Sequence, residues 1–264
     1  MSTTLADMML LVAKEVTLVE DGVADGGSTT TLFDAQRQES GGYWSKGIIF
    51  FTSGDNDGVT RKIDVWDDDA HQFTFTTLGT AVSAGDTYEV ATKDFTPEQI
   101  IQAINMALAE TRIPTFSTIT NTGTYRYAIP SGVSNIKRLE VDAGSDGEDF
   151  VPHTQWYLNG GYIYFDPDTE PVQNYEGDIR VTYMASHAKL TADTSAINSL
   201  ISDDYLKWLA CVKLMEKEDL RYRGENPKVA QKLQECRAYY QIHSQDQPDM
   251  EVERTIRSSK WGHV

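Results

Sequence analysis

Residues 47–66 read GIIFFTSGDNDGVTRKIDVW, and the fold class is decided here. Gly47–Thr52 is a run of branched and aromatic residues, and Gly58–Trp66 is again rich in β-favouring Val, Thr, Ile and Trp. Between them lies Ser53-Gly54-Asp55-Asn56-Asp57-Gly58, a string of turn formers. Two β-favouring runs flanking turn residues predict a hairpin. Asp57-Gly58 is the pair that a tight turn with positive φ prefers, so it is expected to join the strands. Outward from this hairpin, Gln72–Thr76 and Asp86–Ala91 are further predicted strands, and residues 17–94 read as a small all-β module, a barrel or sandwich.

Helical spacing appears on both sides of that module. Leu5, Met8, Met9 and Val12 predict a helix within residues 1–16, with Ser2, Thr3 and Thr4 as candidate caps, packing on the helical domain. Thr96, Pro97 and Gln99 form a capping-box start for a helix over 97–111, whose expected buried stripe is Ile100, Ile101, Ile104 and Leu108. Residues 122–185 read as a β meander: Tyr125–Ile129, Ile136–Val141, Trp156–Leu158, Tyr162–Phe165 and Asp178–Met184, with Pro130-Ser131-Gly132 and Asn159-Gly160-Gly161 as turns. A helical hairpin is expected over 203–243, broken at Gly224 and Pro227. In its first helix Tyr205, Trp208, Val212 and Met215 make one stripe, and Leu206, Leu209 and Leu220 a second. Two stripes predict cover on more than one side, from the chain's own helices and from a neighbouring subunit. Residues 245–264 lack periodicity and read as an extended C-terminal arm. The expected class is therefore α+β, with residues 95–244 forming one α+β domain beside the β module.

Charge is uneven along the chain. Residues 1–94 hold 16 acids and 6 bases, residues 95–201 hold 13 and 6, and residues 202–264 hold 11 of each. An acidic body is a poor static binder of nucleic acid, because phosphate contact needs Lys and Arg. Like charge does suit a wall past which DNA slides. The longest early apolar run, Met8–Ala13, is too short to span a bilayer and lacks the flanks of a secretory signal, so synthesis and use in the cytoplasm are expected. Cys211 and Cys236 fall in predicted helices and read as small apolar side chains; a disulfide is open geometrically, but a reducing compartment argues against it.

The chain carries no nucleophile-elbow, P-loop, dinucleotide or zincin pattern. His71, His153, His187, His243 and His263 are scattered without ligand spacing. Asp55, Asp57 and Asp64 imitate part of a calcium loop but sit between strands, where a hairpin turn explains them better. Asp67-Asp68-Asp69 reads as a solvated turn, and Asp166-Pro167-Asp168 has turn chemistry of its own rather than that of a glycosidase pair. Tyr43, Trp44, Trp66, Trp156, Tyr157, Tyr162 and Tyr164 can stack sugars or bases, although strand aromatics more often build a core. Neither an enzymatic role nor a cofactor or metal site is expected.

The order of segments carries a resemblance. Ser28-Thr29-Thr30-Thr31-Leu32-Phe33-Asp34, Tyr43-Trp44-Ser45-Lys46-Gly47, Ser53-Gly54 and Ala84-Gly85-Asp86-Thr87-Tyr88-Glu89-Val90 resemble a β module of structural proteins in tailed bacteriophages. Phe95-Thr96-Pro97-Glu98-Gln99-Ile100-Ile101-Gln102-Ala103-Ile104-Asn105, with the late helix pair and arm, resembles head–tail connector (adaptor) proteins. The β module and the second meander depart from compact adaptors. The resemblance implies a virion protein of the neck, made in the host bacterial cytoplasm. It forms a homo-oligomeric ring, commonly a dodecamer, below the portal protein and presents its other face to a downstream tail or neck protein. Viral double-stranded DNA passes through without sequence-specific binding, and no membrane is involved. On this reading Arg254, Ile256, Arg257, Lys260 and Trp261 form a portal-binding arm, and Tyr205, Trp208, Val212 and Met215 serve helix or inter-subunit packing. Alternatives are a stopper, tail-tube or nozzle protein, or a carbohydrate-binding tail protein.

Overall fold

A computed structural model describes residues 3–143, 150–165 and 177–246 of the protein. Its described residues form two compact units, 3–111 with 187–246, and 112–186. The division falls at the end of the capping-box helix, rather than at residue 94 where the first β module ends. The class is α+β, with four α-helices and antiparallel sheets of seven, four and three strands.

In the first unit α1, Leu5–Val16, starts at Thr4, which shares a capping box with Asp7. The β module contains β1 (Val19–Val23), β2 (Gly26–Gly27), β3 (Thr31–Phe33), β4 (Ile48–Phe51), β5 (Thr60–Asp67), β6 (Gln72–Phe75) and β7 (Thr87–Ala91). Their order is β1-β7-β4-β5-β6-β3-β2. Because β1 and β2 are successive parts of one bent stretch, the sheet begins and ends on the same chain segment and closes into a barrel. Closure removes the free edges that an open sheet must protect. Its interior holds Leu32, Trp44, Ile49, Phe51, Ile63, Trp66, Phe73, Phe75, Tyr88 and Val90. β4 is buried at every position. Ile49 and Phe51 face the barrel core, while Phe50 shares a small pocket with Ala6 and Leu10 of α1.

The hairpin from β4 to β5 forms as predicted, but its turn is not the simple Asp57-Gly58 pair. A 3-10 turn over Gly54–Asn56 precedes it, and Gly54 and Gly58 take φ of 76° and 73°. Neighbouring groups hold this longer turn. The Asn56 amide donates to the Thr80 carbonyl at 3.2 Å, the Ser53 hydroxyl accepts from the Thr87 N–H at 2.7 Å, and the Asp86 carboxylate lies where a Cβ on Gly54 would go.

α2, Pro97–Glu110, carries the complete Thr96/Gln99 capping box. α3, Asp203–Arg221, is capped by Ser202, and α4, Pro227–His243, by Asn226 after Gly224 at φ 74°. α3 packs against α1, α2 and α4. Ion pairs rim this bundle: Lys207 reaches Glu15 of α1 at 3.4 Å and Lys213 reaches Glu110 of α2 at 2.6 Å.

The second unit contains β8 (Arg112–Ile119), β9 (Arg126–Ala128), β10 (Ile136–Asp142), β11 (Phe150–Pro152), β12 (Trp156–Asn159), β13 (Tyr162–Phe165) and β14 (Ile179–Ser186). All five strands expected here are present, yet they do not form one meander. They divide into a β11-β10-β14-β8 sheet and a β12-β13-β9 sheet. Tyr127, Trp156, Ile163 and Phe165 of one sheet share a core with Leu139, Val141, Ile179 and Val181 of the other. β8 runs through Pro114, which sits on an edge strand where a missing donor does least harm. Gly160 and Gly161, both at positive φ, turn β12 into β13 with Asn159 opposite Tyr162.

Candidate functional site

Among the described residues, no group of three or more His, Cys, Asp or Glu is placed to hold a metal ion. His71 Nδ1 lies 2.8 Å from the Arg37 carbonyl, His187 Nε2 accepts from the Asn198 N–H at 3.1 Å, and His153 packs its ring on Phe165. His243 pairs with Asp246 at 3.2 Å. Asp67 accepts from the Ala70 N–H in the expected turn. His263, Asp166 and Asp168 lie outside the described residues.

A buried cluster of ionisable groups lies in the barrel. Asp34 and Arg37 are buried on the loop after β3, and Tyr88 stands on β7. The Tyr88 hydroxyl donates to Asp34 Oδ2 at 2.6 Å and accepts from Arg37 Nε at 3.0 Å. Arg37 also donates to Glu20 at 2.9 Å, to Glu39 at 3.0 Å and to the Asp21 carbonyl at 2.7 Å. Its guanidinium lies 5.3 Å from the centre of the Trp44 ring. Burial, reinforced by the hydrogen bond to Asp34, pushes the Tyr88 phenol far above its usual range. Burial opposes the Glu39 charge, but its own backbone N–H and Arg37 hold its carboxyl below the usual value. A phenol that stays protonated, between a carboxylate and a guanidinium already satisfied, is matched to cross-linking rather than to proton transfer. The cluster ties the 34–39 loop to β1 and β7.

The aromatic candidates separate into core and surface. Trp44, Trp66 and Trp156 are at most 2 % exposed, so none offers a ring face to a ligand. On the outer side of the β12-β13-β9 sheet, Tyr157 and Tyr164 stack on each other with centroids 5.0 Å apart, and Arg126 covers Tyr162 at 4.6 Å. Each of these rings has one face engaged within the sheet.

The predicted packing residues Tyr205, Trp208, Val212 and Met215 are all buried. Trp208 stacks on Tyr239 of α4 at 4.4 Å, and Tyr205 lies 5.9 Å from Tyr240. The double stripe of α3 thus finds both covers within the chain, from α4 on one side and from α1 and α2 on the other. Leu220 departs from its expected stripe and is 78 % exposed. With Tyr222 it leaves an apolar spot at the α3–α4 turn, and Tyr239 and Ile242 are exposed farther along α4. Ile101 also leaves its expected buried stripe; with Met106, Gln102, Asn105, Glu98 and Lys189 it lines an open groove of about 500 Å³ along α2. The signal for that groove was available in the sequence, since Ala103 and Ala107 complete the buried face and turn Ile101 outward. Arg254, Ile256, Arg257, Lys260 and Trp261 lie outside the described residues.

No protein-family model matches the chain, and no curated protein matches it in sequence. Among the described residues, no helix is long and apolar enough to cross a membrane.

Proposed function

We propose that this protein is a head–tail adaptor of a tailed bacteriophage, a non-enzymatic ring component that sits below the portal and continues the DNA channel toward the tail. The observation that carries the reading is organisational. A closed β-barrel is joined through α1 and the Thr96-capped α2 to a helical bundle, in the same segment order that resembles connector proteins. The reading is further supported by where polar chemistry is spent. The buried ionisable cluster cross-links the barrel, and the acidic first 201 residues suit a surface past which DNA moves without adhesion. Because Tyr205, Trp208, Val212 and Met215 are consumed inside the bundle, ring closure on this reading uses other faces, such as the exposed spot at Leu220 and Tyr222.

The test is a truncation. A chain ending at residue 244 is expected to fold normally and to lose attachment to a purified portal ring, because it lacks the segment with Arg254, Arg257, Lys260 and Trp261. Unchanged attachment of the truncated chain refutes the arm's role. Imaging of labelled particles separates the adaptor from a stopper, tail-tube or nozzle component: an adaptor lies directly against the portal, and the others lie away from it.

A further inference from the structure

Tyr205 and Trp208 on α3 lie against Tyr240 and Tyr239 on α4, so residue numbers rise along one helix as they fall along the other. Moving about one more turn from the Trp208–Tyr239 stack, three residues on along α3 and three back along α4, brings Cys211 opposite Cys236. Both thiols are wholly buried, and both are free. The geometry points to Cys211 and Cys236 as a dithiol pair that closes into a disulfide by exchange with a small disulfide, stapling α4 to α3. This inference is independent of the proposed adaptor role.

The environment sets the order of events. A hydrogen bond from Cys211 draws the Cys236 thiol below its usual range, with help from the Lys232 ammonium against the effect of burial. The same contact, together with burial, raises Cys211. Cys236 lies on α4, the helix whose opening exposes the pair, and its lowered pKa agrees with its acting as the first nucleophile, since the thiolate is the attacking form. It attacks the small disulfide R–S–S–R, forming Cys236–S–S–R and releasing one thiolate. Cys211 then loses its proton and attacks the Cys236 sulfur, expelling the second thiolate. Overall the pair gives up two electrons and two protons, and R–S–S–R becomes two RSH. Access comes from α4 itself, because Leu233 and Cys236 are its only buried residues. Local opening of α4 away from α3 exposes the pair at a free-energy cost below that of global unfolding.

The experiment uses the full chain, purified reduced and incubated with oxidised glutathione under native conditions. The expected product is a monomer lighter by two hydrogens, whose digest contains the Cys211 peptide joined to the Cys236 peptide. Its unfolding midpoint should be higher than that of the reduced protein by on the order of 5–10 °C, as expected for a link closing a loop of about 25 residues. Thiols that remain free, a glutathione adduct that does not close, or a disulfide between two chains would each overturn the inference. Because the unsubstituted protein is measured, the result does not depend on whether a cysteine variant folds.

Discussion

Tyr88→Phe is the most direct probe of what holds the barrel closed. The substitution keeps the ring and its edge contact with Phe73, with centroids 5.7 Å apart, and removes only the hydroxyl. Two hydrogen bonds disappear, one given to Asp34 at 2.6 Å and one taken from Arg37 at 3.0 Å. Both partners are charged side chains with little exposure, so each bond is worth roughly 1.5–3 kcal/mol. Arg37 keeps Glu20 and Glu39, and Asp34 keeps the Gln36 N–H, so the losses are partly absorbed. The expected cost is about 2–4 kcal/mol, measured by denaturant unfolding followed through the fluorescence of Trp44 and Trp66 in the barrel core. A pH series sharpens the attribution. The folded state holds the Tyr88 proton to well above its usual pKa of about 10, whereas the unfolded state releases it there. Above that pH the native state binds more protons, so stability falls as pH rises, and this contribution is complete below pH ~10. The Phe variant should lose stability less steeply above pH ~10 than the parent. A cost below about 0.5 kcal/mol, or identical slopes, would refute the reasoning that the phenol cross-links the barrel.

Other substitutions separate local from tertiary contributions. Gly22→Ala places a Cβ against the Tyr88 ring, so it should destabilise the barrel strongly in the parent and much less beside Tyr88→Leu; additive costs in a double-mutant cycle would contradict the contact. Trp208→Ala removes the ring stacked on Tyr239 and is expected to cost about 3–5 kcal/mol, with faster proteolysis at the 222–226 turn as α4 loosens. Thr96→Ala removes the α2 cap and should cost about 1 kcal/mol, read as a small downward shift in the unfolding midpoint. Leu220→Glu should change stability by less than about 0.5 kcal/mol, because that side chain touches little in the chain; a large loss would contradict its exposure.

What could be read in advance follows the range of the interaction responsible. The start of α2 was legible because Thr96, Pro97 and Gln99 act within one turn, and the Gly160-Gly161 turn because two glycines impose their own backbone geometry. The central strands β4 to β7 announced themselves through branched and aromatic residues. β1 did not, because Val19-Glu20-Asp21-Gly22-Val23 has weak β character. That stretch is held from a distance, by Arg37 donating to the Asp21 carbonyl and by the Tyr88 ring resting on Gly22. β8 was hidden in the same way. Its sequence carries Pro114, a residue that strands tolerate only at an edge, and only the register with β14, from Arg112↔Ser186 to Ile119↔Ile179, makes it a strand.

α3 shows the corresponding limit for function. Two apolar stripes state that two surfaces are covered, but they carry no record of whose chain does the covering. Helix–helix burial within a subunit and between subunits uses the same side chains for the same reason, the removal of apolar area from water. Here Lys207–Glu15, Lys213–Glu110 and Lys217–Gln102 rim the cover provided by α1 and α2, and Trp208–Tyr239 anchors the cover provided by α4. On the proposed adaptor reading, an assembly interface draws on apolar residues that the fold leaves exposed. Leu220, Tyr222 and Ile242 are such residues on the hairpin, and Met106 is one on α2. An acidic substitution there that leaves the monomer stable but abolishes assembly would identify the interface, whereas Trp208→Ala would confuse lost assembly with lost folding.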